Sequence, residues 1–250
     1  LMISAKKNIH RNFEDLMLFE IGPVFKGNKP GEQSTMIGSI KTGKYSRKNW
    51  IEKERNFDVF DIKNDALRTL NEIGIDNSKI AVSNKTKSWY HPGRSGLLSL
   101  GSANGPKLAY FGEIHPSIIK KLNLRTDNVL GFEIFLDNIP ESRKKIREAK
   151  PQFTTFDYQK VFRDFAFILD EKYSGDEILR LVKKINEELI KEVKIFDVYR
   201  GDDIGAEKKS IAFSVTLEPK DKTLSEKDIE QISKKIISTV QETTGATLRS

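Results

Sequence analysis

The sequence predicts an α+β protein of two parts, each built on an antiparallel sheet. Three observations carry that prediction. In the first part, strand-like apolar runs are interspersed with helical stripes. A polar, basic stretch closed by proline, NIPESRKKIREAKPQFTTF (138–156), then separates two apolar regions. The last hundred residues follow the order strand, helix, strand, strand, helix, strand. The boundary is placed near Lys150, giving domains 1–150 and 151–250.

Taken in order, LMLFEIGPVF (Leu16–Phe25) and TMIGSIKT (Thr35–Thr42) read as strands joined by the Gly- and Pro-bearing turn KGNKPGEQ. DIKNDALRTLNEIGI sets Ile62, Ala66, Leu70 and Ile73 on one helical stripe and stops at Gly74. SGLLSLGS and KLAYFGEI read as strands across a Gly-Pro turn. HPSIIKKLNL suits a short helix with Pro116 in its first turn. NVLGFEIFLD closes the first part as a strand.

In the second part FRDFAFILD is a strand. SGDEILRLVKKINEELI is a helix with Ser174 as N-cap and Ile178, Leu181, Val182, Ile185 and Leu189 inward. VKIFDVYRG and KSIAFSVTLEP are strands joined by GDDIGAEK. SEKDIEQISKKIISTVQETT is a second helix, with Ile229, Ile232, Ile236 and Val240 inward and a capping box from Ser225 to Asp228. ATLR supplies a last short strand. This is the split β-α-β, ferredoxin-like order. Right-handed crossovers put both helices on one face of the sheet and leave the other open.

Composition narrows the function. The chain has 250 residues and no cysteine, so disulfides and thiolate metal sites are excluded. Its three histidines, His10, His91 and His115, are too scattered to suggest a zinc site. No apolar run approaches the roughly 20 residues needed to span a bilayer, and the N-terminus has no secretory signal. No membrane partner is expected, and a cytoplasmic protein follows as the default. Leu1 precedes Met2, so the chain reads as a piece of something longer. The net charge of +7 invites a nucleic-acid reading. From residue 151 on there are 17 Lys and Arg against 19 Asp and Glu, so the whole excess lies in residues 1–150.

Strict alternation along VKIFDVY puts Phe196 and Val198 on the helix side with Phe165, Phe167, Leu169, Ile211, Phe213 and Val215. The open face then receives Asp164, Ala166, Asp197, Tyr199, Ser210, Ala212 and Ser214. Small residues around one aromatic ring let a planar group approach, the ring can stack on it, and Asp197 and Ser210 can bond its edge. A carboxylate suits the N–H edge of guanine. The structural alternative is a tyrosine half-covering a sheet edge beside a solvated aspartate.

The stretch FRDFAFILD … VKIFDVYRGDDIGAEKKSIAFSVTLEPKDKTLSEKDI … GATLR resembles the ferredoxin-fold anticodon-binding domain of bacterial phenylalanyl-tRNA synthetase β subunits. Its RD, FDVY.G, KS.AF, TL and GA.LR elements occur in the family's order and spacing. Where the family has proline before RD, this chain has Gln159 and Lys160. Upstream, LFEIGPVF, FDVFDIK, YHPGRSG, YFGEIHP and GFEIFLDNIP look like the preceding β-subunit domain, which is similar to a class II synthetase module but performs no chemistry. The resemblance implies a C-terminal fragment with anticodon contacts at Ala166, Asp197, Tyr199 and Ser210, the tyrosine stacking on the first anticodon base. It implies no catalytic or metal-binding residue and no cofactor in this piece. ATP and Mg2+ belong to the α2β2 holoenzyme, and the α subunit, a second β subunit and tRNA-Phe are the partners.

Two rivals remain open at this stage. In YHPGRSG, His91, Arg94 and Ser95 could serve as base, anion binder and nucleophile; against that, the segment reads as a tight turn with Arg94 in an ion pair. The chain could also be a generic RNA-binding or protein-interaction module, although RNA-binding sheets of this topology usually carry two or three aromatics where this one offers chiefly Tyr199.

Overall fold

The computed structural model describes residues 1–140, 158–220 and 222–249. The chain divides into two compact units, Leu1–Arg147 and Glu148–Ser250. The boundary expected at Lys150 lies outside the described residues.

Unit 1 runs α1 (Met2–Ile9), β1 (Leu16–Phe25), β2 (Gln33–Thr42), β3 (Lys44–Ser46), β4 (Arg55–Asn56), α2 (Val59–Glu72), β5 (Ile80–Ser83), β6 (Tyr90–Leu100), β7 (Lys107–Ile114), α3 (Pro116–Lys121) and β8 (Val129–Phe135). Six strands form one antiparallel sheet in the order β1-β2-β8-β7-β6-β5. One face packs on α2, where Ile62, Ala66 and Leu70 meet Leu98, Leu108, Phe132 and Ile134. The other packs on α1 and α3, where Ala5, Ile9 and Ile119 meet Ile40, Leu97, Tyr110 and Val129. With both faces covered, β7 and β8 are near-continuous apolar runs rather than alternating ones.

The α2 stripe differs from expectation at its end. The helix stops at Glu72, Ile73 is its exposed C-cap, and Gly74 takes φ +97°. The chain turns there, and Ile75 enters the core instead of Ile73. At the sheet's edge, β1 leaves Met17, Phe19 and Ile21 exposed on one side.

The segment YHPGRSG is not a free turn but an arch inside β6. Pairing jumps from Tyr90–Ile114 to Ser95–Gly112, so the residues between them loop out of the ladder. Gly112 has φ +147°, and a Cβ there would lie 2.3 Å from Ser95 Cβ and 2.7 Å from the Arg94 carbonyl, so only glycine fits beneath the arch.

Unit 2 runs β9 (Val161–Asp170), α4 (Gly175–Ile185), β10 (Ile190–Tyr199), β11 (Lys208–Leu217), α5 (Glu226–Thr244) and β12 (Thr247–Leu248). Its antiparallel sheet has the order β10-β11-β9-β12. This is the ferredoxin-like β-α-β-β-α-β arrangement, and β9 starts directly after Gln159 and Lys160. Both helices carry capping boxes, Ser174 with Glu177 and Ser225 with Asp228. They pack Ile178, Val182, Ile232, Ile236 and Val240 on Phe165, Phe167, Phe213, Ile211 and Val215. Phe167 and Phe213 stack with ring centroids 5.8 Å apart. Helix α4 ends at Ile185, earlier than its apolar pattern suggests. Leu189 packs on the core from the following turn, where its amide donates to Asn186 Oδ1.

Strict alternation fails in β10. Ile195 pairs with Phe213, but Asp197, not Phe196, pairs with Ala212. Phe196 is the extra residue of a β-bulge and is 58% exposed. The expectation that Phe196 faces the helices is therefore wrong. Val193 and Ile195 pack against the core in its place, and Lys194, opposite Ser214, lies on the open side. After the bulge the phase is restored: Val198 pairs with Ile211 on the helix side, although it stays exposed at this edge strand.

Candidate nucleic-acid interface

Cross-strand partners share a face, so register fixes what the open sheet of unit 2 presents. Asp197 lies opposite Ala212, which lies opposite Ala166; Tyr199 lies opposite Ser210, which lies opposite Ile168. All four residues expected at the site, Ala166, Asp197, Tyr199 and Ser210, therefore sit on one face, on three adjacent strands. Their accessibility differs. Asp197 is exposed, Tyr199 is 39% exposed, Ala166 is half-buried, and Ser210 is 3% exposed at the floor. The alanines make a low platform beside the ring, and the backbone beneath them is saturated by strand pairing.

Three further residues complete the geometry. The Tyr199 hydroxyl donates to Asp203 Oδ1 at 2.7 Å, anchoring the ring from the loop after β10. That hydrogen bond to a carboxylate pushes the Tyr199 phenol above its ordinary value, Asp203's charge adds to the effect, and Arg249 opposes it. Gly201 makes room for the bond: a Cβ there would lie 2.2 Å from Tyr199 Oη and 2.5 Å from Asp203 Oδ1. Arg249 follows β12, its amide bonded to the Ala166 carbonyl, and its guanidinium carbon is 5.2 Å from the Tyr199 ring centroid. The strands carrying Tyr199 and Arg249 are opposite edges of a four-stranded sheet, about 14 Å apart at the usual strand spacing. Both side chains thus reach inward over the alanine platform. The YRGDD loop held a signal for Asp203 and Gly201, a short polar return beside the tyrosine. Arg249 is brought in only by the sheet order.

The rival in unit 1 does not assemble. Ser95 Oγ donates to the backbone carbonyl of His91 at 2.5 Å, not to its ring. His91 Nδ1 accepts from the Gly93 amide at 3.1 Å. Arg94 clamps Glu113 with both Nε and Nη2, the latter to Oε1 at 2.8 Å. The arrangement fixes the arch and leaves no base facing a nucleophile. Among the described residues no group of three or more His, Asp or Glu side chains is placed to hold a metal ion, and no helix is long and apolar enough to cross a membrane.

Comparison with known proteins bears on this geometry. Residues 1–136, more than half of the chain, match the family described as the phenylalanyl tRNA synthetase beta chain CLM domain. The chain belongs to that family. Residues 157–249, which hold the open-face site, match the ferredoxin-fold anticodon binding domain. Relatives within the synthetase β-chain family include the phenylalanine–tRNA ligase beta subunits of Paramagnetospirillum magneticum, 41% identical over 249 residues, Rhodospirillum rubrum, 39% over 250, and Bartonella quintana, 37% over 253. Each match covers all of this chain and 31% of the relative, so the chain spans under a third of the length of those β subunits. Among solved structures, a pyrrolysyl-tRNA synthetase from Desulfitobacterium hafniense aligns over 52% of this chain and 43% of that one at 15% identity, with a TM-score of 0.36.

Proposed function

We propose that this chain is the anticodon-reading part of a phenylalanine–tRNA ligase β subunit and contributes no chemistry of its own. One observation carries the reading: Asp197 and Tyr199 stand side by side on the open sheet face next to the small residues Ala166, Ser210 and Ala212, in the unit that matches an anticodon-binding family. Tyr199 stacks on the first anticodon base of tRNA-Phe. Asp197 accepts from the N–H edge of guanine, Ser210 offers its hydroxyl at the floor, and Ala166 lets the base lie close to the sheet. A base on the ring face away from Arg249 would complete a cation–ring–base stack. In the whole ligase, an α2β2 assembly in the cytoplasm, ATP with Mg2+ activates phenylalanine before transfer to tRNA, and that chemistry belongs to the α subunit. The exposed apolar side chains of β1 support a role for unit 1 as a subunit interface.

The test is binding of the chain to a tRNA-Phe anticodon stem-loop and to the same loop with its first anticodon base changed. The wild type should prefer the cognate loop, and Tyr199→Ala should lose the preference while keeping its unfolding temperature. Equal affinity of the wild type for both loops would overturn the reading.

A further inference from the structure

Unit 2 is slightly acidic, so an RNA held there gains little from its phosphates. The excess of cations lies in unit 1, and two of its helices gather several of them without counter-charge. Helix α1 ends in Lys6 and Lys7 and continues into Arg11; α3 ends in Lys120 and Lys121 and is followed by Arg125. The two helices pack against the same side of the sheet through Ala5, Ile9 and Ile119, and a hydrogen bond between His10 Nε2 and the Asn123 carbonyl, 3.3 Å, ties their C-terminal ends together. All six cations are exposed except Lys6, which is half-buried.

Neither helix contains an acidic residue. The nearest acids along the chain are Glu14, Asp15, Glu113 and Asp127, and of these Asp15 is taken by Arg47 and Glu113 by Arg94. None of the six cations makes an ion pair with a described residue. Lysines in a last helical turn complement the helix dipole, which accounts for the four lysines. It does not account for Arg11 and Arg125, which lie beyond both helices and add to the mutual repulsion. Six like charges at one joined pair of helix ends suit an extended polyanion whose charges are spaced along a backbone.

We infer that the joined C-terminal ends of α1 and α3 form a phosphate-contact patch for the body of the same RNA whose anticodon unit 2 reads. The inference rests on the tRNA-binding reading of the chain. The patch carries affinity and salt dependence, and the open face of unit 2 carries base discrimination.

The experiment measures affinity of the full chain for a tRNA-Phe transcript against salt concentration, for the wild type, for the quadruple variant Lys6→Gln, Lys7→Gln, Lys120→Gln, Lys121→Gln, and for Arg11→Gln with Arg125→Gln. Each phosphate contact contributes about 0.7–0.9 to the slope of log affinity on log salt, so the quadruple variant should lose about 3 from that slope. At that difference the wild type loses about 60-fold more affinity than the variant between 50 and 200 mM salt. The double variant should lose about 1.5. Preference for the cognate first anticodon base should be unchanged in both. Slopes equal to wild type, or no wild-type binding to the transcript, would overturn the inference. So would reduced binding to anionic phosphatidylserine vesicles with RNA binding intact, which would make the patch a lipid contact. The two readings fail separately: lack of base discrimination in the wild type sinks the anticodon site, and an unaltered slope sinks the patch.

Discussion

Replacing Gly201 by alanine tests the geometry of the open face at its tightest point. The new methyl would lie 2.2 Å from the Tyr199 hydroxyl and 2.5 Å from Asp203 Oδ1. Both are ends of side chains, so the backbone can stay in place while the Tyr199–Asp203 bond separates. Gly201 sits at φ −160°, ψ 161°, extended geometry that alanine adopts freely. The substitution also removes unfolded-state freedom, a gain of about 0.4–1 kcal/mol. Thermal stability should therefore stay level or rise slightly. Binding should not. If the ring swings off the platform, the stacking contribution goes with it, and affinity for the cognate anticodon stem-loop should fall by about 5- to 150-fold. A second readout follows the ring directly. The phenol now titrates above its ordinary value because it donates to Asp203. Once separated it should ionise at lower pH, visible in the phenolate ultraviolet absorbance, with Tyr199→Phe identifying which of the six tyrosines moves. Unchanged affinity together with a shifted titration would refute the argument that ring placement controls binding. An unshifted titration would refute the hydrogen-bond geometry itself.

Phe196→Ala, at the bulge, should change stability by less than about 1 kcal/mol, whereas Phe213→Ala, fully buried against Phe165 and Phe167, should cost about 3–5 kcal/mol; urea midpoints compare them, and equal losses would mean the bulge is absent in solution. In unit 1, the hydrogen bonds from Arg94 hold the Glu113 carboxyl below the ordinary glutamate range. A group depressed in the folded state contributes stability above its unfolded value and loses it as pH falls through the folded value. Glu113→Gln should thus lose stability less steeply than wild type below about pH 5 in urea titrations at stepped pH, and parallel curves would show that the clamp contributes nothing.

Much of the architecture is legible because local chemistry and long-range packing agree. The two long helices of unit 2 announce themselves by a Ser cap, an acidic third position and an apolar stripe, and their caps form as read. In unit 1, β1, β2, β7, β8 and the second half of β6 are legible as apolar runs while the short β3, β4 and β5 are not, and the strand order is hidden because β2 pairs with β8 across about ninety residues of chain. Helix α1 is not legible because its eight residues, MISAKKNI, carry only Ala5 and Ile9 into the core, too little periodicity to register. Asp197 and Tyr199 do lie on the open face, although the strict alternation that places them there fails at Phe196. A bulge adds one residue without altering composition, so nothing local in VKIFDVY distinguishes a bulged strand from a straight one. Arg249 was invisible for a different reason. Its partner lies fifty residues away, and only the placement of β12 beside β9 brings them into reach.

The extra residue at Phe196 divides β10 into two segments with separate allegiances. Val193 and Ile195 belong to the hydrophobic interior, and Asp197 and Tyr199 belong to the open face. In an unbroken strand, a one-residue insertion or deletion would exchange those allegiances beyond the point of change. Here Phe196 lies outside the ladder and can absorb a one-residue deletion. Deleting Phe196 alone would straighten the strand, with Ile195, Asp197, Val198 and Tyr199 paired consecutively to Phe213, Ala212, Ile211 and Ser210, and both segments would keep their faces. What the extra residue supplies is a bend and added twist at the sheet's edge, not the facing of its neighbours.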